Sequence, residues 1–165
     1  MIFKYQKHND DLYTTLLNLS RNVYFYENIK LKDSFETRIY LMFLHFSIIL
    51  IIYKKKSLKF DQNAYDNLFY NIENNLRELG FGAVSVNKRM KDLNKILYDM
   101  LLKLKDNKKN EFKLNKSLIV KYFDIFDIDK TSKYQEFSQY FVKFYNFCFE
   151  LPHNSILKKA INFKH

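Results

Sequence analysis

Two glycines and one proline in 165 residues leave this chain almost no turn chemistry. Tight β-turns draw on Gly for left-handed backbone and on Pro for a preset φ, so a sandwich or barrel with many hairpins has little to turn on. With 47% hydrophobic and 18% aromatic residues, the chain also has far too much apolar material to remain disordered. Helices joined by short polar segments satisfy both constraints. The expectation is an all-α fold, one domain over residues 1–165, built as a single compact bundle of about six helices.

The helical period runs along most of the chain. Asp10 or Asp11 is placed to cap a first helix carrying Leu12, Leu16, Leu17 and Leu19 as far as Arg21. Val23-Tyr24-Phe25-Tyr26 is an aromatic patch that suits either the core or a lid over it, and 27–32 is a polar break. Asp33 with Glu36 three residues later resembles a capping box at the start of a helix over 33–53. Its stretch 39–53 is apolar except at His45 and Ser47, and spans roughly 22 Å against the roughly 30 Å of a bilayer core. That favours a central bundle helix covered on all sides over a short, lysine-flanked membrane span.

Residues 61–105 read as a hairpin, with Asp61 as its cap. Tyr65, Leu68, Phe69, Ile72, Leu76 and Leu79 form one apolar stripe on the way in; Val86, Met90, Leu93, Leu97, Met100 and Leu104 form another on the way out. Between them Gly80 stands where a helix C′ residue needs left-handed backbone, Gly82 follows it, and Ser85 suits the next N-cap. Lys88–Asp92, Lys95–Asp99 and Asp99–Lys103 are spaced to pair across one turn. Beyond the hairpin, 106–115 is the loosest stretch and 116–126 a short helix. A longer helix from Thr131 or Ser132 to about Phe149 carries the seam Tyr134, Phe137, Phe141, Phe144 and Cys148. Pro152 ends it, before a terminal helix at 155–163.

The formal charge is +10, with 24 lysines against 4 arginines. Its clustering matters more than its sum. From Lys88 to Lys116 ten basic residues face four acidic ones, and Lys54, Lys55, Lys56 and Lys59 follow Tyr53 closely. Such surfaces draw anionic lipid, RNA or an acidic protein face. A single cysteine, Cys148, excludes an internal disulfide, and the first ten residues carry neither an apolar core nor an Arg/Ser-rich presequence. The chain is therefore expected to stay unexported.

No reaction chemistry assembles. Asp127-x-Asp129-x-Thr131 opens like a calcium loop, but Ser132 replaces its glycine and Ser138 its bidentate glutamate. Gly80-Phe-Gly82 lacks the spacing and the Lys-Ser/Thr of a phosphate loop. His8, His45, His153 and His165 are scattered, so zinc and haem ligation are not expected; His45 reads as a core histidine bonded to a carbonyl or carboxylate. The expectation is no enzyme, no metal and no cofactor. Arg38, Arg77, Glu78 and Arg89 stand beside apolar positions, which suits an ion network between helices, a recognition face, or both.

Phe69-x-x-Ile72-Glu73-x-x-Leu76-Arg77-Glu78-Leu79-Gly80-x-Gly82-x-x-x-Val86-x-Lys88-Arg89-Met90-Lys91 resembles the signature of the ubiquinol–cytochrome c chaperone family, in its bacterial form. Asp33, Arg38, Leu44 and His45 resemble the family's second segment, and Tyr13, Arg21, Phe25 and Tyr26 its early pattern; Ile161-Asn-Phe163 is similar to its tail. Ala83 stands where the family tends to have Asp, and Tyr98-Asp99 where it tends to have Tyr-Gly. The resemblance is specific in the middle third and weak after about Leu104. It implies an assembly chaperone that binds newly made cytochrome b during biogenesis of the reductase, working at the cytoplasmic face of the inner membrane against anionic lipid, with the ribosome or a helper subunit as further partners. The expected contact residues are Arg77, Glu78, Lys88, Arg89 and Lys91, with Tyr24, Phe25 and Tyr26 as an apolar lip; Arg38, His45, Gly80 and Gly82 support them. The competing reading, from charge alone, is a basic helical module for RNA or the ribosome.

Overall fold

The computed structural model describes residues 11–105, 111–126 and 131–165, which are helical and joined by short links, with no strand among them. The expected caps and ligands at His8, Asp10, Asp127 and Asp129, and half of the 106–115 loop, lie outside the described residues. The elements in order are α1 (Asp11–Ser20), α2 (Val23–Glu27), α3 (Phe35–Lys55), α4 (Gln62–Glu78), α5 (Ala83–Lys105), α6 (Lys116–Tyr122), α7 (Thr131–Glu150) and α8 (Ile156–Lys159). Two 3₁₀ turns, Asp124–Phe126 and Ala160–Asn162, follow α6 and α8. The 23–26 patch and the terminal segment are thus short helices in their own right, so the described helices outnumber the six expected.

The axis of the fold is α3. It is long and apolar enough to cross a bilayer, with mean hydropathy 1.7, yet 67% of that window is buried within the protein. Its packing neighbours are α1, α5 and α7, which explains why apolar residues recur on every side of it. Ile39, Leu41, Met42, Phe43, Leu44, Phe46, Ile48, Ile49 and Ile52 are all buried. The aromatic seam of α7 packs as expected: Phe137, Phe141 and Phe144 are fully buried, and Phe137 packs at a tilt against both Phe123 and Phe126.

The α3 cap differs by one residue from the expectation. Ser34, not Asp33, is the N-cap; its hydroxyl accepts from the Thr37 amide at 3.2 Å. Asp33 is engaged elsewhere, accepting from Arg38 at 2.7 Å. Asp61 does cap α4, through the Asn63 amide.

The α4–α5 turn is a Schellman closure. The Gly80 amide donates to the Arg77 carbonyl at 2.9 Å and the Phe81 amide to that of Leu76 at 3.3 Å, with Gly80 at φ +92°. Gly82 needs no such conformation. It is the residue whose carbonyl receives the Val86 amide, so α5 opens at Ala83 and Ser85 lies inside the first turn rather than at the N-cap. Two other helix ends turn left-handed without glycine, at Lys30 (φ 69°) and Ser57 (φ 55°).

On the far side of α5, Asp99 ties that helix to α6. It takes Lys103 at 3.1 Å, as its spacing predicts, and Lys121 at 2.9 Å rather than Lys95, and it also accepts from the Tyr122 hydroxyl. Partial burial would raise its carboxyl, but the bonds from Tyr122, Lys121 and Lys103 outweigh that and hold it down at about 2. Burial and the same hydrogen bond push Tyr122 up to about 12.

Candidate partner-binding site

The hairpin presents its polar residues outward because its apolar stripes are consumed by the core. Leu68, Ile72 and Leu76 of α4, and Val86, Leu93, Leu97 and Met100 of α5, are buried, which leaves Arg77, Glu78, Lys88 and Lys91 on the solvent side. Arg77 reaches back to Glu73 at 2.9 Å, one turn away, and stays largely exposed. Apolar side chains accompany these charges at the turn: Leu79 is exposed, and Val84 is 85% exposed at the first turn of α5.

Arg89 behaves differently from its neighbours. Its guanidinium carbon lies 4.0 Å from the centre of the Phe81 ring, a cation–π contact that fixes the turn residue against α5. Arg89 also walls a cleft of about 270 Å³ between the start of α3 and α5, shared with Phe35, Glu36, Tyr40, Leu76 and Asp92. The cleft therefore has apolar walls and carries both signs of charge. It could seat a side chain of a protein partner that bears one polar group.

Arg38, Arg77, Glu78 and Arg89 do not form one network. Arg38 is bound to Asp33 and sits beside the Tyr26 hydroxyl, Arg77 is bound to Glu73, and Arg89 lies on Phe81. Each cation meets a partner close to it in sequence, so the charges do not lock α3, α4 and α5 to one another.

The aromatic lip does not hold as a unit. Phe25 is fully buried, packed on Tyr140, Phe137 and Phe141 of α7 and on His45, so it has no surface to offer a partner. Tyr24 lies stacked on Tyr140 and edge-on to His165, and the Tyr26 hydroxyl donates to the Ser20 carbonyl at 2.7 Å. The contacts of Tyr24 and Phe25 run chiefly to α7 and the C-terminal segment, and those of Tyr26 to the end of α1 and to Arg38. Alternation of aromatics could not distinguish a lip from a core wedge; the facing seam on α7 decides it.

His45 is also internal. Its Nδ1–H donates to the Leu41 carbonyl at 2.6 Å, which leaves Nε2 to accept from the Tyr140 hydroxyl at 2.9 Å. Burial lowers its pKa to about 4, with the Leu41 bond working the other way, so it is neutral at ordinary pH. Burial likewise pushes the Cys148 thiol up to about 12, leaving it protonated and inert. Among the described residues no three His, Cys, Asp or Glu side chains converge as metal ligands.

The family model described as ubiquinol-cytochrome C chaperone matches residues 27–150. The chain belongs to the ubiquinol–cytochrome c chaperone family. No curated protein and no solved structure matched in the corresponding comparisons. The match contains α3, α4 and α5 whole and continues through α7, well past Leu104, where the motif grows weak. It stops short of Tyr13, Arg21, Phe25 and Tyr26 on one side and of Ile161–Phe163 on the other. A chaperone role in assembly of the reductase complex follows from the family, and with it a protein partner in that complex.

Proposed function

We propose that this protein binds newly synthesised cytochrome b and holds it for assembly into the ubiquinol–cytochrome c reductase, without catalysing a reaction. The observation that carries the reading is the exposed ridge of Arg77, Glu78, Lys88 and Lys91, which lies on the hairpin with the family's signature and beside the Arg89 cleft. A newly made membrane subunit exposes polar loops and half-packed helix ends. A ridge of cations flanked by Leu79 and Val84 offers such segments both charge and apolar cover. Binding of this kind would take place in the cytoplasm at the inner membrane, where a bacterial cytochrome b is inserted.

The test is deletion of the protein in its host, followed by optical spectroscopy of membrane cytochrome b. The reading expects assembled cytochrome b to fall sharply and to return when the intact chain is supplied. An unchanged level would overturn it. A crosslinking pull-down that recovered ribosomal RNA and no cytochrome b would point instead to the basic module as an RNA binder.

A further inference from the structure

The cleft that Arg89 walls carries an excess of negative charge on a protein whose formal charge is +10. Two carboxylates line it, Glu36 at the start of α3 and Asp92 in α5, against the single guanidinium. Among the described residues neither carboxylate has an ion-pair partner. Nearby cations are engaged elsewhere: Arg38 is held by Asp33, and Arg89 lies on the Phe81 ring. The Lys88–Asp92 pair that the spacing allows is not made. The helix dipole gives a local reason for Glu36, in the first turn of α3, but none for Asp92, which stands far from either end of α5. The remaining walls are apolar and aromatic, from Leu76, Leu93 and Ile96 with Phe35 and Tyr40. Tyr40 packs on Tyr122 and Phe123, with ring centroids at 5.3 and 6.2 Å, and Tyr122 is itself tied to Asp99. That wall is therefore in place before a guest arrives. At about 270 Å³ the cleft has room for one long side chain and not for a helix.

We infer that this cleft receives an arginine side chain of the client protein. One added cation brings its two carboxylates and one guanidinium to neutrality. The stem of the guest lies along the apolar walls, and its head meets Glu36 and Asp92 beside the aromatic rings. Other guests fit worse. An acidic side chain would face two carboxylates, and an apolar one would strip water from them without replacing its hydrogen bonds. Lysine has the charge, but not the planar fork that donates twice to a carboxylate and lies flat on a ring. The Phe81–Arg89 stack gains a role here: a guanidinium bedded on Phe81 is not paired with Glu36 or Asp92, so the carboxylates stay available to the guest. The cationic ridge of Lys88 and Lys91 runs beside the cleft on the same helix. Opposite signs on the two surfaces fix one register for a client segment that carries arginine next to acidic groups. The inference deepens the proposed function and rests on it, since it names the chemistry by which the client is held.

Purified cytochrome b in detergent, titrated against the full chain, tests it. Glu36→Gln with Asp92→Asn removes both charges and keeps the side-chain shapes at two exposed positions. Affinity should fall by about tenfold while the melting temperature is unchanged. Modifying the arginines of cytochrome b with phenylglyoxal should weaken its binding to the parent chain by a similar factor, and the double variant should bind the modified and unmodified forms equally. Acetylating the lysines of cytochrome b should not reproduce the loss. Undiminished affinity of the double variant would overturn the inference, and so would a loss that follows lysine acetylation in place of arginine modification. In both of those cases the parent chain still binds cytochrome b, and the chaperone reading stands. A parent chain that binds no cytochrome b overturns both.

Discussion

The guanidinium of Arg89 lies on the face of Phe81, 4.0 Å from the ring centre to the guanidinium carbon, and so joins the α4–α5 turn to the first turns of α5. The contact holds the aromatic ring at the mouth of the turn and leaves Lys88 and Lys91 free to point outward. Phe81→Ala removes the platform and should lower stability by ~1 kcal/mol or slightly more, part from the cation–π contact and part from lost packing. Arg89→Lys should cost less than Arg89→Ala, since an ammonium keeps the charge but not the flat stacking surface. Urea midpoints of the three variants check the order.

The two glycines of the turn should respond differently to the same change. Gly80 has φ +92°, and a Cβ there would meet no atom within 4 Å, so the cost of Gly80→Ala is in the backbone alone, ~1–2 kcal/mol. Gly82 has equal space and no left-handed backbone, so Gly82→Ala should be neutral or slightly stabilising. Thermal melts of both single variants give the comparison. Equal losses would contradict a left-handed backbone at Gly80 alone.

His45 makes stability depend on pH with a definite sign. Folded, its pKa is lowered to about 4; unfolded, it titrates near the ordinary 6.5. Between those values the unfolded chain takes up a proton that the folded chain refuses. Stability is therefore whole above about 6.5 and falls as pH drops toward 4, by ~1.4 kcal/mol per pH unit and ~3 kcal/mol in all. Below 4 this contribution levels off. Denaturation curves between pH 7 and 4 should show the slope, and His45→Phe should remove most of it. The variant should also be less stable at neutral pH, because the Tyr140 hydroxyl loses its acceptor.

Ser47 offers a gain. Its hydroxyl is buried in α3 with no hydrogen-bond partner among the described residues. Ser47→Ala should raise stability by ~1 kcal/mol, through removal of an unsatisfied polar group and a better helix former. A calorimetric melting temperature above that of the parent chain is the expected outcome.

Much of this architecture was legible in residue spacing. The apolar run 39–53 is buried as a central helix, and the stripes of α4 and α5 face the core except at Leu79, which the turn leaves exposed, because period and burial are linked by one geometry. Asp61 and Gly80 were legible because each supplies a local chemical need at a helix end. Spacing failed where a tertiary partner chose between equal local options. Asp33 and Ser34 both can cap α3, and the pull of Arg38 on Asp33 leaves the cap to Ser34. Phe25 could have lined a surface, but the α7 seam makes it core. The left-handed ends at Lys30 and Ser57 are not legible in the sequence because neither residue advertises that backbone. At the candidate site, exposure of the ridge could be read from the opposite face being apolar. The Phe81–Arg89 stack and the cleft that Arg89 walls depend on contacts across elements that no local pattern announces.

The central claim is that the hairpin ridge is where the client docks. Lys88→Glu with Lys91→Glu reverses its charge at two exposed positions outside the core and the Phe81–Arg89 stack. Purified cytochrome b in detergent, titrated against the parent chain and this double variant, measures the effect directly. The account predicts that affinity drops by about tenfold or more while the melting temperature is unchanged. Equal affinity for the two proteins would contradict it.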